Sequence, residues 1–136
     1  MVLVDTSVWS LALRRRPERL SAFESGIVAK WSQMALDGEV VLIGPIRQEL
    51  LSGIRHKIQF ERLQERLDDF LCFEMRQSHY DRAAECFNAC RAHGISAGSV
   101  DMVICASAIQ HDVHIMTTDP DFSRYAKHLP IHLLPL

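Results

Sequence analysis

The opening stretch constrains the fold most. Val2-Leu3-Val4 is an unbroken apolar run that ends in Asp5, with Thr6-Ser7-Val8-Trp9 behind it. A run without polar alternation predicts a strand buried on both faces, as in a parallel sheet. Parallel neighbours need crossover connections, usually helices. A carboxylate at the end of such a strand falls on the carboxyl edge of the sheet, where α/β folds bind ligands. A blander reading makes Asp5 a helix cap, and Thr6 or Ser7 can also cap the helix that Val8 begins.

The chain repeats this alternation. Pro17-Glu18 opens a second helix, with Leu20, Phe23, Ile27, Trp31 and Ala35 as its apolar stripe and Asp37-Gly38 as its end. Val40-Val41-Leu42-Ile43 reads as the second buried strand. Gly44-Pro45 starts a helix over 45–54 that carries Glu49 in its second turn. Residues 58–70 form an amphipathic helix with Phe60, Leu63, Leu67 and Phe70 on one side, and 71–75 add a short strand. Ser78 is expected to cap a helix over 79–93 with Tyr80, Ala83, Ala84, Phe87 and Cys90 facing the core, and Gly94 ends it. Asp101 sits at the start of a helix over 102–110 that is apolar nearly all round. Residues 113–117 form the next strand and run into Thr118-Asp119-Pro120-Asp121-Phe122, where Asp119 fits a helix cap. Residues 131–134 read as a last short strand.

Composition narrows the class. The 136 residues suffice for one domain with a real core, and 48% hydrophobic with 24% charged residues are globular values. No apolar run approaches the roughly 20 residues of a membrane span, and no signal-type segment opens the chain. The four cysteines lack a Cys-x-x-Cys spacing and read as reduced, packed thiols, which favours a cytoplasmic setting. The seven histidines are scattered, with His111 and His114 at a helix end and a strand start rather than on a metal. A net charge of −2 confines any nucleic-acid contact to local patches. Arg14-Arg15-Arg16 is one, and Arg47, Arg55, His56 and Lys57 form another; either is equally a solvated helix end.

In a parallel sheet with right-handed crossovers, strand ends and the helix starts behind them share one edge. Asp5, Glu49, Asp101 and Asp119 can therefore converge, with Asp121 close by. Two like charges about 4 Å apart repel by roughly 4 kcal/mol at an effective dielectric of 20. A set of this kind is either partly protonated or shares a hard cation. All-oxygen ligands point to Mg²⁺ or Mn²⁺, the ions of phosphoryl chemistry. Thr6, Ser7 and Thr117 add hydroxyls without adding charge.

These residues, in this order, resemble the PIN-domain family, and within it the VapC toxins, the ribonuclease halves of bacterial toxin–antitoxin pairs. The resemblance rests on Val4-Asp5-Thr6-Ser7, Glu49 within Arg47-Gln48-Glu49-Leu50-Leu51-Ser52-Gly53, Asp101 ahead of Ile104-Cys105-Ala106, and Thr117-Thr118-Asp119-Pro120-Asp121-Phe122. It covers residues 1–136 as a single PIN domain and implies a three-layer α/β/α sandwich with a central parallel sheet. It implies catalytic roles for Asp5, Glu49, Asp101 and Asp119. It places the metal on Asp5, Asp101, Asp119 and Asp121, with Thr6 or Ser7 and Thr117 as accessory hydroxyls. Cys105 in a helix that is usually alanine-rich departs mildly from the pattern.

The implied activity is Mg²⁺- or Mn²⁺-dependent hydrolysis of RNA by activated water. The implied partners are an RNA substrate, a cognate antitoxin, and a second copy in a homodimer or toxin–antitoxin hetero-oligomer. The apolar faces of Trp9, Leu11 and Leu13 and of Phe60, Leu63 and Leu67 are expected to border the antitoxin groove, unless they are simply core. Competing readings are a non-catalytic PIN-like module that binds RNA or protein, and a metal-dependent phosphatase. Phosphatases of the haloacid-dehalogenase type want a second Asp two residues beyond the first, where Ser7 stands. A receiver domain wants a phosphoacceptor Asp ending a central strand and a Lys near the last strands, and the two requirements are not met together.

Overall fold

The computed structural model describes residues 1–136. In chain order the elements are β1 (Val2–Val4), α1 (Thr6–Leu13), a 3₁₀ turn (Pro17–Arg19), α2 (Ala22–Leu36), β2 (Val40–Ile43), α3 (Gly44–Leu51), α4 (Lys57–Asp68), β3 (Leu71–Phe73), α5 (Gln77–Ala92), α6 (Ser99–His111), β4 (His114–Met116) and α7 (Asp121–Tyr125). The four strands form one parallel sheet in the order β3-β2-β1-β4. Strands β1 and β2 are buried at every position, the expected result for apolar runs covered by helices on both faces.

The strand order locates the site. From β1 the chain steps outward to β2 and β3, then returns to the other side of β1 for β4. The direction of winding therefore reverses between β1 and β4, and the crevice at such a switch point is where open α/β sheets bind ligands. Pairing runs on past the strand there, as the Asp5 N–H donates to the Met116 carbonyl at 2.9 Å.

Several local expectations shift. Pro17 opens only the 3₁₀ turn. Helix α2 starts at Ala22 because Ser21 and Glu24 close a capping box on it, at 3.1 and 3.0 Å. Ser78 does not cap α5. Instead His79 Nδ1 accepts the Arg76 N–H at 3.0 Å, so its Nε2 keeps the proton and donates to His111 Nε2 at 3.1 Å. His111 and His114 do stand at the end of α6 and the start of β4. Helix α3 ends at Leu51, and Gly53 follows at φ +87°, a conformation suited to glycine. Residues 131–134 add a single bridge, Ile115 to Leu133, rather than a full strand.

The core holds both tryptophans. Trp9 is fully buried, its indole N–H donates to the Val4 carbonyl at 3.0 Å, and its ring meets Trp31 and Phe70 edge-on at 5.4 and 4.8 Å. Leu11, Leu63 and Leu67 are buried in the same core. The expected stripes turn out to be only partly core. Helix α5 buries His79, Ala83, Cys86 and Cys90 and leaves Tyr80 and Phe87 exposed. Helix α2 buries Ile27 and Trp31 but leaves Phe23 64% exposed. All four cysteines are free thiols, and burial pushes the three inner ones up, away from reactive thiolate.

Candidate active site

Asp5 occupies the N-cap position of α1, yet its side chain makes no capping bond. The capping reading therefore fails. The Asp5 main-chain carbonyl already accepts the Val8 and Trp9 N–H groups at 3.0 and 3.3 Å. Its buried carboxylate is held instead by two hydroxyls: Ser7 and Thr117 both donate to Oδ2, each at 2.8 Å. Those hydroxyls are fixed in turn. The Thr118 N–H donates to Ser7 Oγ and the Asp119 N–H to Thr117 Oγ1, both at 3.0 Å. The chain leaving β4 thus locks onto the chain leaving β1. Neither Thr6 nor Ser7 caps α1. Of the two, Ser7 serves Asp5, while the Thr6 hydroxyl is buried without a partner.

Beside Asp5 lie three further carboxylates. Asp101, Asp119 and Asp121 each offer an oxygen, and these oxygens lie within 4.8 Å of one another. Asp101 comes from the first turn of α6 and Asp121 from the first turn of α7. Asp119 sits between β4 and α7, where its Oδ1 accepts the Asp121 N–H at 2.9 Å in a local turn. Asp121 Oδ1 also accepts from Arg124 at 2.9 Å, which offsets part of its charge. Asp101 is pushed up to about 6, chiefly by burial; a hydrogen bond from Tyr125 acts against this, and the Asp5, Asp119 and Asp121 charges add to it.

Glu49 stands apart. It is exposed on α3 and shares with Asp101 an open cleft of about 450 Å³, lined also by Gln48, Ser52 and Ser99. The main chain at Glu49 is tied to α1, because the Arg14 guanidinium donates to the Glu49 carbonyl at 3.3 Å and also to the Leu50 carbonyl. Of the five acids read from the sequence, the structure therefore places Asp101, Asp119 and Asp121 in one cluster. Asp5 lies beside that cluster and Glu49 across the cleft from it.

One residue escaped the sequence reading. Tyr125, 1% exposed, donates its phenol to Asp101 Oδ2 at 2.9 Å. Its position four residues after Asp121, on the same face of a helix turn, was the only signal available. The donor set fits a hard divalent cation: all oxygen, concentrated charge, and one carboxylate held back from ionising.

Removing a hydroxyl tests the Asp5 cradle. Thr117→Val should cost about 1–3 kcal/mol of stability, because a buried carboxylate loses a donor. If Asp5 acts in catalysis, activity per folded molecule should fall roughly tenfold or more, read beside a denaturant melt. A variant with parental stability would show that Ser7 alone suffices to hold Asp5.

Fold and site together define an α/β domain with an acidic centre at the switch point of a parallel sheet. The PIN domain pattern matches residues 2–128, and the chain belongs to the PIN domain family. Solved structures with the same fold include FitAcB from Neisseria gonorrhoeae, at 24% identity and a TM-score of 0.71, covering 99% of this chain and 97% of that one. VapBC2 from Rickettsia felis, bound to a DNA fragment from their promoter, matches at 16% identity and a TM-score of 0.74 over 99% of this chain and 98% of that one. VapBC-1 from nontypeable Haemophilus influenzae matches at 16% and 0.73, over 98% and 97%. No curated protein sequence matches the chain. No helix is long and apolar enough to cross a membrane.

Proposed function

We propose that this chain is a Mg²⁺- or Mn²⁺-dependent endoribonuclease and the toxin of a toxin–antitoxin pair. The observation that carries the reading is the cluster of Asp101, Asp119 and Asp121 beside the doubly held Asp5. A divalent cation there would supply counter-charge and the Lewis acidity that phosphodiester hydrolysis by water needs. Asp101, Asp119 and Asp121 would hold it, and Asp5, fixed by Ser7 and Thr117, would complete the negative wall. Glu49, which lines the same cleft, would face the substrate and orient the attacking water. Gln48, Ser52 and Ser99 line that cleft with neutral hydrogen-bonding groups, suited to ribose and phosphate without added charge. The resemblance to VapC toxins points to RNA as the substrate. Purified chain should cleave RNA with Mn²⁺, and EDTA should abolish the cleavage. Cleavage that survives EDTA, or none with Mn²⁺ on any RNA, overturns the reading.

The toxin reading also requires an inhibitor, and the solved neighbours include a toxin–antitoxin complex from Klebsiella pneumoniae. Trp9 and Leu67 offer it no surface, since both are fully buried, and Phe60 is half-buried on α4. What remains is a groove between α1 and α4 of about 440 Å³. Leu13, Ile54 and Leu63 floor it, and Arg14, Arg62 and Arg66 rim it. An antitoxin segment with apolar anchors and acidic flanks suits this groove. The double variant Arg62→Glu, Arg66→Glu should weaken inhibition at least tenfold while leaving the melting temperature within a few degrees, since exposed charges add little to stability. Unchanged inhibition would place the antitoxin elsewhere. Tyr80 and Phe87 are exposed on α5 and would give a homodimer an apolar face to use; a monomeric mass in solution would count against a homodimer.

A further inference from the structure

We propose that Tyr125 is a positioning residue: its phenol holds the Asp101 carboxylate in the one orientation that serves the cation. The inference rests on the metal-dependent reading above. Tyr125 is the last residue of α7, and Asp121 is the first. One short helix thus brings a carboxylate to the cluster and a phenol to the back of its neighbour.

The hydrogen bond at 2.9 Å goes to Asp101 Oδ2, and Oδ1 receives no hydrogen bond from the protein. The two oxygens of Asp101 are thereby made unlike. A carboxylate turns readily about its last torsion, which is broad and roughly two-fold. Asp101 has reason to turn, because Asp5, Asp119 and Asp121 all repel it. Nothing else polar in the structure restrains its side chain. Tyr125 is itself held: it is 1% exposed, and its ring meets the fully buried Phe122 edge-on at 5.3 Å. A phenol O–H is a donor, and here its acceptor is the Asp101 carboxylate. A buried phenol that is fixed, protonated and aimed at one oxygen is suited to orienting a ligand, and partners of this kind typically change metal affinity 10–100-fold.

A merely structural tyrosine would pin α7 to α6 and do nothing more. Tyr125→Phe separates the two roles, since it keeps the ring packing and removes only the donor. Mn²⁺ affinity is measured directly by calorimetric titration of the folded variant and of the parent chain. Positioning predicts a roughly 10–100-fold weaker Mn²⁺ affinity. It also predicts a lower kcat at saturating Mn²⁺ with KM for a short RNA unchanged. In an Asp101→Asn background the same substitution should bring no further loss. A Tyr125→Phe protein that binds Mn²⁺ as tightly as the parent overturns the inference, whatever its melting temperature. A parent chain that binds no Mn²⁺ overturns it too. A parent that binds Mn²⁺ but cuts no RNA defeats the nuclease reading alone, and the titration still decides the role of Tyr125. Should Tyr125→Phe fail to fold, Tyr125→Gln offers a smaller side chain with an N–H donor, and its Mn²⁺ affinity should lie closer to the parent's than that of Tyr125→Leu. Equal affinities for those two variants count against the inference.

Discussion

Asp101→Asn and Asp119→Asn are each expected to lower RNA cleavage by at least about a thousand-fold, close to 4 kcal/mol of barrier at 1.36 kcal/mol per decade. Asn keeps the shape of Asp and loses the charge that a cation needs. The folded chain should survive both changes. At Asp101 the Tyr125 phenol can still donate to the amide oxygen, and a charge repelled by Asp5, Asp119 and Asp121 is gone. The melting temperature of metal-free Asp101→Asn at neutral pH should therefore equal or exceed the parent's. Asp121→Asn should cost less activity, because Asp121 already shares its charge with Arg124 at 2.9 Å. Glu49→Gln should cost activity without stability, as expected for an exposed side chain. Paired rate measurements and melts read all four variants. An Asp101→Asn protein that cuts RNA at the parental rate would remove Asp101 from the proposed site.

The elements that were legible in the sequence are those where one residue pattern has one physical outcome. Val2-Leu3-Val4 and Val40-Val41-Leu42-Ile43 lack polar alternation, so burial on both faces was the only stable solution, and both are buried throughout. That fixes the carboxyl edge and hence the neighbourhood of Asp5 and Asp119. Apolar stripes were less legible, because one pattern serves both core and exposed faces. Trp9 read as a candidate partner contact and lies in the core, whereas Tyr80, Phe87 and Phe23 read as core and face solvent. The spacing along a helix says which residues share a face, not what covers it. Thr6 and Ser7 were interchangeable as letters. Only the pairing of β1 with β4 selects Ser7, since that pairing brings Thr118 to its hydroxyl. Tyr125 lay beyond reach because its partner Asp101 is 24 residues away, and no local rule joins them.

Mn²⁺ should raise the melting temperature by about 10 °C at pH 7.5, and by much less at pH 5. Mass action supplies roughly 2.7 kcal/mol at a hundredfold excess over Kd. For a domain of this size that corresponds to about 10 °C. The pH dependence follows from Asp101, held up at about 6 against an ordinary 3.8. Between those values the folded chain keeps a proton that the unfolded chain has released. Folded-state proton uptake then exceeds that of the unfolded state, so stability falls as pH rises through the window. The penalty is absent below about 3.8 and complete above about 6. Asp101 is half-buried, so solvent screening limits the penalty to roughly 1–2 kcal/mol. At pH 7.5 Asp101 is ionised and ready for a cation that relieves the repulsion. At pH 5 the cation must first displace its proton, which weakens binding. Melts from pH 4 to 8, with Mn²⁺ and with EDTA, read both effects, and Asp101→Asn isolates the residue responsible. In EDTA the parent and the variant should differ little near pH 4, with the variant gaining as pH approaches 6. If the two profiles run parallel across that range, Asp101 carries no penalty for the cation to relieve, and the stabilisation by Mn²⁺ would have to come from the other carboxylates.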